Sequence, residues 1–172
     1  MTEPIDVAGS VTRLKQAGTA FAALRGPIDA GQPWPMSTAA GEGPEGEWGP
    51  PEVLAHVAEM LQYWLGEIER VVAGSPEPVP FGRIATDPLR TMTMERDRTL
   101  PARELISRIE ASIGRYVARL PELSPADWAK TGLHPRLGEM SVAAMLERFV
   151  GSHLDEHALQ LTEALNRQPA AG

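Results

Sequence analysis

The chain has 172 residues, 42% of them hydrophobic and 23% charged, with a formal net charge of −7. That size suits one domain with its own core, and the acidic balance argues against nucleic-acid binding, which needs a basic face. The absence of cysteine rules out disulfides, thiolate ligands and a cysteine nucleophile, so any metal must be held by nitrogen and oxygen donors.

The first predicted helix runs from about Asp6 to Arg25. Val11, Leu14, Ala17, Phe21 and Leu24 recur every three or four residues and share one face. Gly26-Pro27 is expected to end it. Pro27 to Gly49 then reads as a long loop, because Pro33-Trp34-Pro35 and Gly41-Glu42-Gly43-Pro44 interrupt any helix. A second helix starts at Pro50-Pro51-Glu52, where proline suits the first turn and Glu52 suits the helix dipole. Its apolar positions are Val53, Val57, Met60, Leu61, Trp64, Ile68 and Val71.

Pro76, Pro78, Pro80 and Pro88 mark the next connection, Gly74 to Leu100, within which a short helix near Leu89 to Asp97 is compatible with the sequence. A third long helix spans Ala102 to Leu120, with Leu105, Ile109, Ile113, Tyr116 and Leu120 on one stripe. Ser124-Pro125-Ala126-Asp127 reads as a capped single turn. A loop through Pro135 and Gly138 comes next, and Ser141 caps a fourth helix reaching about Asn166.

No segment shows a convincing strand alternation. The expectation is an all-α four-helix bundle, a single domain over residues 1–172 with an ordered core at about 6–166. The long second connection permits one crossover, with the second and third long helices parallel. The tail, Gln168 to Gly172, is expected to be disordered. No apolar run approaches the roughly 20 residues that span a bilayer. The acidic start Met1-Thr2-Glu3-Pro4-Ile5-Asp6 lacks the features of a signal peptide. A cytoplasmic protein without membrane partners is expected.

Four histidines occur. His153 and His157 are four apart, so on a helix their side chains lie one above the other. Two imidazoles so placed can converge on one metal ion. Both fall inside the apolar stripe Val142, Met145, Leu146, Phe149, Val150, Leu161, Leu165. Buried without partners, each would carry a desolvation penalty of about 1–3 kcal/mol, which a shared metal removes. His56 lies on or beside the apolar face of the second helix, near its start. If the two helices run antiparallel, all three imidazoles meet toward one end of the bundle. His134, in Gly132-Leu133-His134-Pro135-Arg136, reads as an exposed loop residue. Spacing alone leaves packed core histidines and a metal site both open.

His153-Leu154-Asp155-Glu156-His157 also matches the inverted zinc-peptidase pattern, in which Glu156 would be a general base. Such peptidases need a further carboxylate ligand well downstream. Glu163 is the only acid after His157, so this reading is set aside.

Trp48-Gly49-Pro50-Pro51-Glu52-Val53-Leu54-Ala55-His56-Val57-Ala58 resembles the segment that opens the second helix of DinB-like proteins. Gly138-Glu139-Met140-Ser141-Val142, followed by His153 and His157, resembles that family's last helix. The turn Leu123-Ser124-Pro125-Ala126-Asp127-Trp128 is similar as well. The resemblance runs from about Trp48 to Leu165 and departs in the long loop from Pro27 to Trp48.

The resemblance implies an up-down-down-up four-helix bundle, often a homodimer, with nickel, zinc or a similar ion at His56, His153 and His157. It also implies a thiol-dependent enzyme. Relatives include mycothiol-dependent maleylpyruvate isomerases and transferases that add bacillithiol or related thiols to electrophiles. The expected activity is therefore metal-dependent transfer of a low-molecular-weight thiol to a small electrophile. The substrate pocket is expected near Trp48 and Phe81-Gly82-Arg83. Arg83 or Arg90 is a candidate to hold an acidic cofactor group, though either reads more simply as a surface arginine. One alternative is metal-assisted hydrolysis with Glu59 or Glu156 as base, although both read as solvated helix residues. The other is a non-catalytic bundle in which the metal staples two helices and a fourth protein ligand closes the site.

Overall fold

The computed structural model describes residues 5–167 and is predominantly helical, with one small sheet. The long helices are α1 (Val7–Ala30), α2 (Pro50–Ala73), α4 (Ala102–Arg119) and α7 (Ser152–Arg167). Shorter ones are α3 (Pro88–Asp97), α5 (Pro125–Ala129) and α6 (Val142–Leu146). The expected tail, Gln168 to Gly172, lies outside the described residues. Among the described residues no helix is long and apolar enough to cross a membrane.

Gly26-Pro27 does not end the first helix, which continues to Ala30 with Pro27 inside it. An interior proline forfeits one backbone bond. Here Ile28 is fully buried, its carbonyl accepts the Trp34 indole N–H at 2.8 Å, and Gly31 N–H closes the last turn on Pro27. Burial of Ile28 holds the extra turn that the local sequence disfavours.

Side-chain contacts fix how the helices run. Arg25 pairs with Glu110 and Gly18 abuts Ile113, so α1 and α4 are antiparallel. The Tyr116 hydroxyl donates to the Leu61 carbonyl and Arg119 pairs with Glu69, so α2 and α4 are parallel. Trp64 stacks on Phe149 while His56, two turns earlier, meets His153 and His157. The run Val142–Arg167 is therefore antiparallel to α2.

That run is not one regular helix. Glu147–Gly151 forms a π turn between α6 and α7, with Ser152 N–H donating to the Glu147 carbonyl. A π turn holds one more residue than an α turn and shifts the phase of the residues after it. The buried positions accordingly step by four through Val142, Leu146, Val150 and Leu154. Leu154, outside the sequence-derived stripe, is fully buried, and Phe149 is only partly buried.

The sequence shows no strand alternation, yet β1 (Val79–Pro80) pairs parallel with β2 (Thr131–His134), and β2 antiparallel with β3 (Gly138–Ser141). Segments of two and four residues are too short for alternation to register in sequence. Gly132 is required because a Cβ there would lie 2.5 Å from the Phe81 ring. Gly138, at φ +78°, supplies the left-handed residue after the hairpin turn.

The long connection before α2 is pinned rather than free. Buried Glu52 and Arg98 pair at 3.1 Å. Glu52 also accepts from Ser37 N–H, the Ser37 hydroxyl and Gly49 N–H. Arg98 donates to the Ser37 and Thr38 carbonyls, and Glu95 takes both Arg98 and Ala40 N–H. Removing one member of a buried pair is costly because the other stays desolvated. Glu52→Ala should therefore lower unfolding free energy by about 3 kcal/mol, since Glu95 and two carbonyls still hold Arg98. Urea denaturation measures the loss, and limited proteolysis should show new cleavage within residues 31–49.

Candidate metal centre

The first turns of α2 are buried on nearly every face, from Glu52 to Ala58. His56 is 4% exposed there, with the Trp48 ring edge-on at 5.5 Å between centroids. α7 brings His157, equally buried, and His153 at the rim. The structure thus gathers the three histidines that the sequence singles out. His56 Nε2 and His153 Nε2 are 3.2 Å apart.

A fourth group joins them. Glu45 lies in a 3₁₀ turn (Glu45–Glu47) of the connection before α2. Its Oε2 is 3.5 Å from His153 Nε2 and 4.0 Å from His157 Nε2. One ligand atom from each of Glu45, His56, His153 and His157 falls within a 4.8 Å span, a group that could hold a metal ion. Donors about 2.0–2.2 Å from one ion have that compactness.

The ring tautomer supports the fit. The Gln160 side-chain amide donates to the Glu45 carbonyl at 2.7 Å and faces the Trp48 carbonyl at 3.4 Å. Its Oε1 therefore faces His157 Nδ1 at 2.9 Å, and that nitrogen must carry the proton. The lone pair is left on His157 Nε2, which is buried and has no hydrogen-bond partner among the described residues. His56 Nδ1 is likewise unpartnered. A buried acceptor without a donor costs about 1–3 kcal/mol, and an ion facing Nε2 would satisfy it. A hydrogen-bond acceptor on the far nitrogen is the usual arrangement for a metal-binding histidine.

Electrostatics agree. Desolvation, then the neighbouring His157, hold the His56 imidazole well below its ordinary value of 6.5. Burial, then His153, also lower the His157 imidazole. Both rings are neutral, as ligands must be. The contact with His153 pulls the Glu45 carboxyl below the usual range, against its own burial. Glu45 is therefore an anion.

The family model for the DinB superfamily matches residues 14–161. The chain belongs to the DinB superfamily. No curated protein matches it closely enough to count as a relative. Within the matched span of this DinB-superfamily chain, His56 lies in α2 and His153 and His157 lie in α7.

Other expectations need correction. His134 is not an exposed loop residue. It is 7% exposed at the end of β2, packed with Trp64, Phe81 and Phe149. Its Nδ1 accepts from Arg136 and Leu137 N–H across the hairpin turn. Phe81 belongs to this aromatic group. Arg83 and Arg90 are not surface arginines. Arg83 stacks on Tyr63 at 3.7 Å and pairs with Glu59 at 2.6 Å. Arg90 donates to Glu45 Oε1 at 2.8 Å and to the Ala85 carbonyl.

Glu59 is not solvated either: burial pushes its carboxyl up, and Arg83 offsets this only in part. Glu156 is exposed, as expected. Glu59, Tyr63 and Arg83 line a cleft of about 520 Å³ between α2 and α3, one turn along α2 from His56.

Zinc or nickel titration by calorimetry should show His56→Ala, His153→Ala and His157→Ala each losing more than about 100-fold in affinity. Gln160→Ala should lose about 10–100-fold, as an orienting partner. His134→Ala should keep wild-type affinity, because its ring serves the hairpin.

The metal-free site also carries a pH dependence. Because His56 and His157 titrate lower folded than unfolded, the unfolded chain binds more protons below the ordinary value. Metal-free protein should therefore lose stability as pH falls from about 6.5 toward the depressed folded values. Thermal melts across that range check the sign, and a flat profile contradicts it.

Proposed function

We propose that this DinB-superfamily chain is a metal-dependent enzyme that transfers an external low-molecular-weight thiol, of the mycothiol or bacillithiol type, to a small electrophile. The observation that carries the metal part is the unpartnered Nε2 of His157, aimed at three other donors. His56, His153 and His157 would hold the ion, with nickel or zinc the proposed identity. The pairwise helix directions support reading α1, α2, α4 and α7 as the up-down-down-up four-helix bundle of the family. A cytoplasmic homodimer is part of the same proposal.

A divalent ion held by these residues would supply Lewis acidity, which would favour thiolate over thiol at neutral pH. The residues do the rest. Gln160 fixes the His157 ring, and Trp48 covers His56 from one side. Access is from the rim, where the side chains of His153 and Glu45 are 28% and 39% exposed. A thiol entering there would have solvent at the same rim to take its proton. The sulfur then bonds to the electrophilic carbon, whose leaving group departs with the displaced electron pair. No cysteine is present to act in its place.

One observation favours a second reading. Glu45 is a fourth donor, and a metal closed by four protein ligands would only staple the loop and two helices together. A hydrolase gains less, since Glu59 is paired with Arg83 and Glu156 faces solvent.

The test monitors consumption of monochlorobimane with mycothiol, bacillithiol or glutathione. Metal-loaded protein should accelerate at least one conjugation by about tenfold or more, a barrier change of about 1.4 kcal/mol. Chelated protein and His157→Ala should not. Acceleration that survives both controls, or none with any thiol, rejects the transferase reading.

A further inference from the structure

The two oxygens of Glu45 have different partners. Oε1 accepts from Arg90 at 2.8 Å, while Oε2 faces His153 and His157. Arg90 is built for this position. Its side chain is 6% exposed, and its guanidinium lies over the Trp48 ring at 5.5 Å and also donates to the Ala85 carbonyl. The Glu45 backbone is held from the other side by Gln160, the residue that orients His157. The carboxylate is thus shared between a fixed cation and the centre of the histidine cluster, while its side chain remains open to solvent at the rim.

A guanidinium can take both oxygens of a carboxylate in a fork, yet here it takes one. The second oxygen is free to serve the cluster and has a partner waiting if it leaves. From this geometry we propose that Glu45 is a displaceable fourth ligand. It closes the metal site at rest, and it withdraws onto Arg90 when a small anionic donor enters from the rim. This rests on the metal reading above and adds to it a closed resting state and a residue that controls opening. It also reconciles a four-donor cluster with a site that must admit a substrate atom. The entering ligand class is a monodentate anion, because the vacated place held a single carboxylate oxygen.

The test is spectroscopic and needs no activity. Protein loaded with Co²⁺ is titrated with azide, a monodentate anion unrelated to any thiol, and the visible bands are recorded. Wild type, Glu45→Gln, Arg90→Gln and Arg90→Lys are compared. Glu45→Gln should keep Co²⁺ on its three histidines with affinity lower by at least about tenfold, and its bands should differ from wild type. Saturating azide should bring the wild-type bands onto those of the azide-treated Glu45→Gln protein. Arg90→Gln should need several-fold more azide, because the withdrawn carboxylate has lost its cation, and Arg90→Lys should recover part of the difference. Identical affinity and bands for Glu45→Gln would show that Glu45 is not a ligand and would leave the three-histidine site standing. Wild-type bands that ignore azide while those of Glu45→Gln respond would show a permanent fourth ligand and overturn displacement. An azide midpoint unchanged in Arg90→Gln would overturn the role of Arg90. Failure of wild type to bind Co²⁺ at all would instead sink the metal reading itself, and the displaceable ligand with it.

Discussion

The donor cluster depends on how α2 lies against the Val142–Arg167 run, and one ring pair sets that register. Trp64 and Phe149 stack with centroids 3.9 Å apart and planes within 6°. From Trp64 back to His56 is eight residues, about 12 Å along a helix. From Phe149 forward to His153 and His157 is four and eight residues, about 6 and 12 Å. Because the elements are antiparallel, His56 falls beside both histidines of α7. A slip of one residue at the aromatic pair would turn a histidine away from the cluster, since each helical residue rotates the side chain by about 100°. Phe81 and His134 pack around the same pair, which joins the small sheet to these two helices.

The loop before α2 completes the site by a different kind of force. Proline and glycine give it no backbone ladder of its own, so its polar groups must be satisfied from outside. The Glu52–Arg98–Glu95 group does this at one end of the segment, and Gln160 with Arg90 does it at the other. A buried ion pair adds little net stability, because desolvation offsets attraction. What it supplies here is position: Ser37, Thr38 and Ala40 are held, and Glu45 is delivered to the histidines a few residues later.

The parts of this arrangement differ in how legible they are. His56, His153 and His157 stand out because helical periodicity puts polar rings among core positions, where an unpartnered imidazole is anomalous. The capped turn at Ser124 and the cap at Ser141 are equally visible, since each writes its hydrogen bond into local sequence. Glu45 is not legible, because nothing periodic relates a residue in a Pro/Gly-rich loop to a helix more than a hundred residues later. Gln160 gives a faint signal, an amide three residues after His157. Its meaning depends on the loop carbonyls that its other end reaches. Local sequence misplaces His134, Arg83 and Arg90 for one reason. Proline-flanked, charged segments look solvated until tertiary packing brings an aromatic group or a carboxylate against them. Ile28 beyond Pro27 is the same lesson for secondary structure: burial of one side chain outweighs a local stop signal.

The π turn at Glu147–Gly151 ties fold to chemistry most directly. In an uninterrupted α-helix the stripe through Val142, Leu146 and Val150 would drift, and steps of four would carry Leu154 off the core face. The extra residue in the turn absorbs that drift. Leu154 stays fully buried, and His153, one position earlier, is displaced toward the rim. His157, a turn later, returns to the buried face. The two α7 histidines therefore sit in unlike surroundings although their spacing is that of a symmetric pair. One is desolvated and locked by Gln160, and the other is partly open beside Glu45. The π turn sets which face of α7 meets the core, and within that regular helix the four-residue step from His153 to His157 carries the second ring from the rim to the buried face.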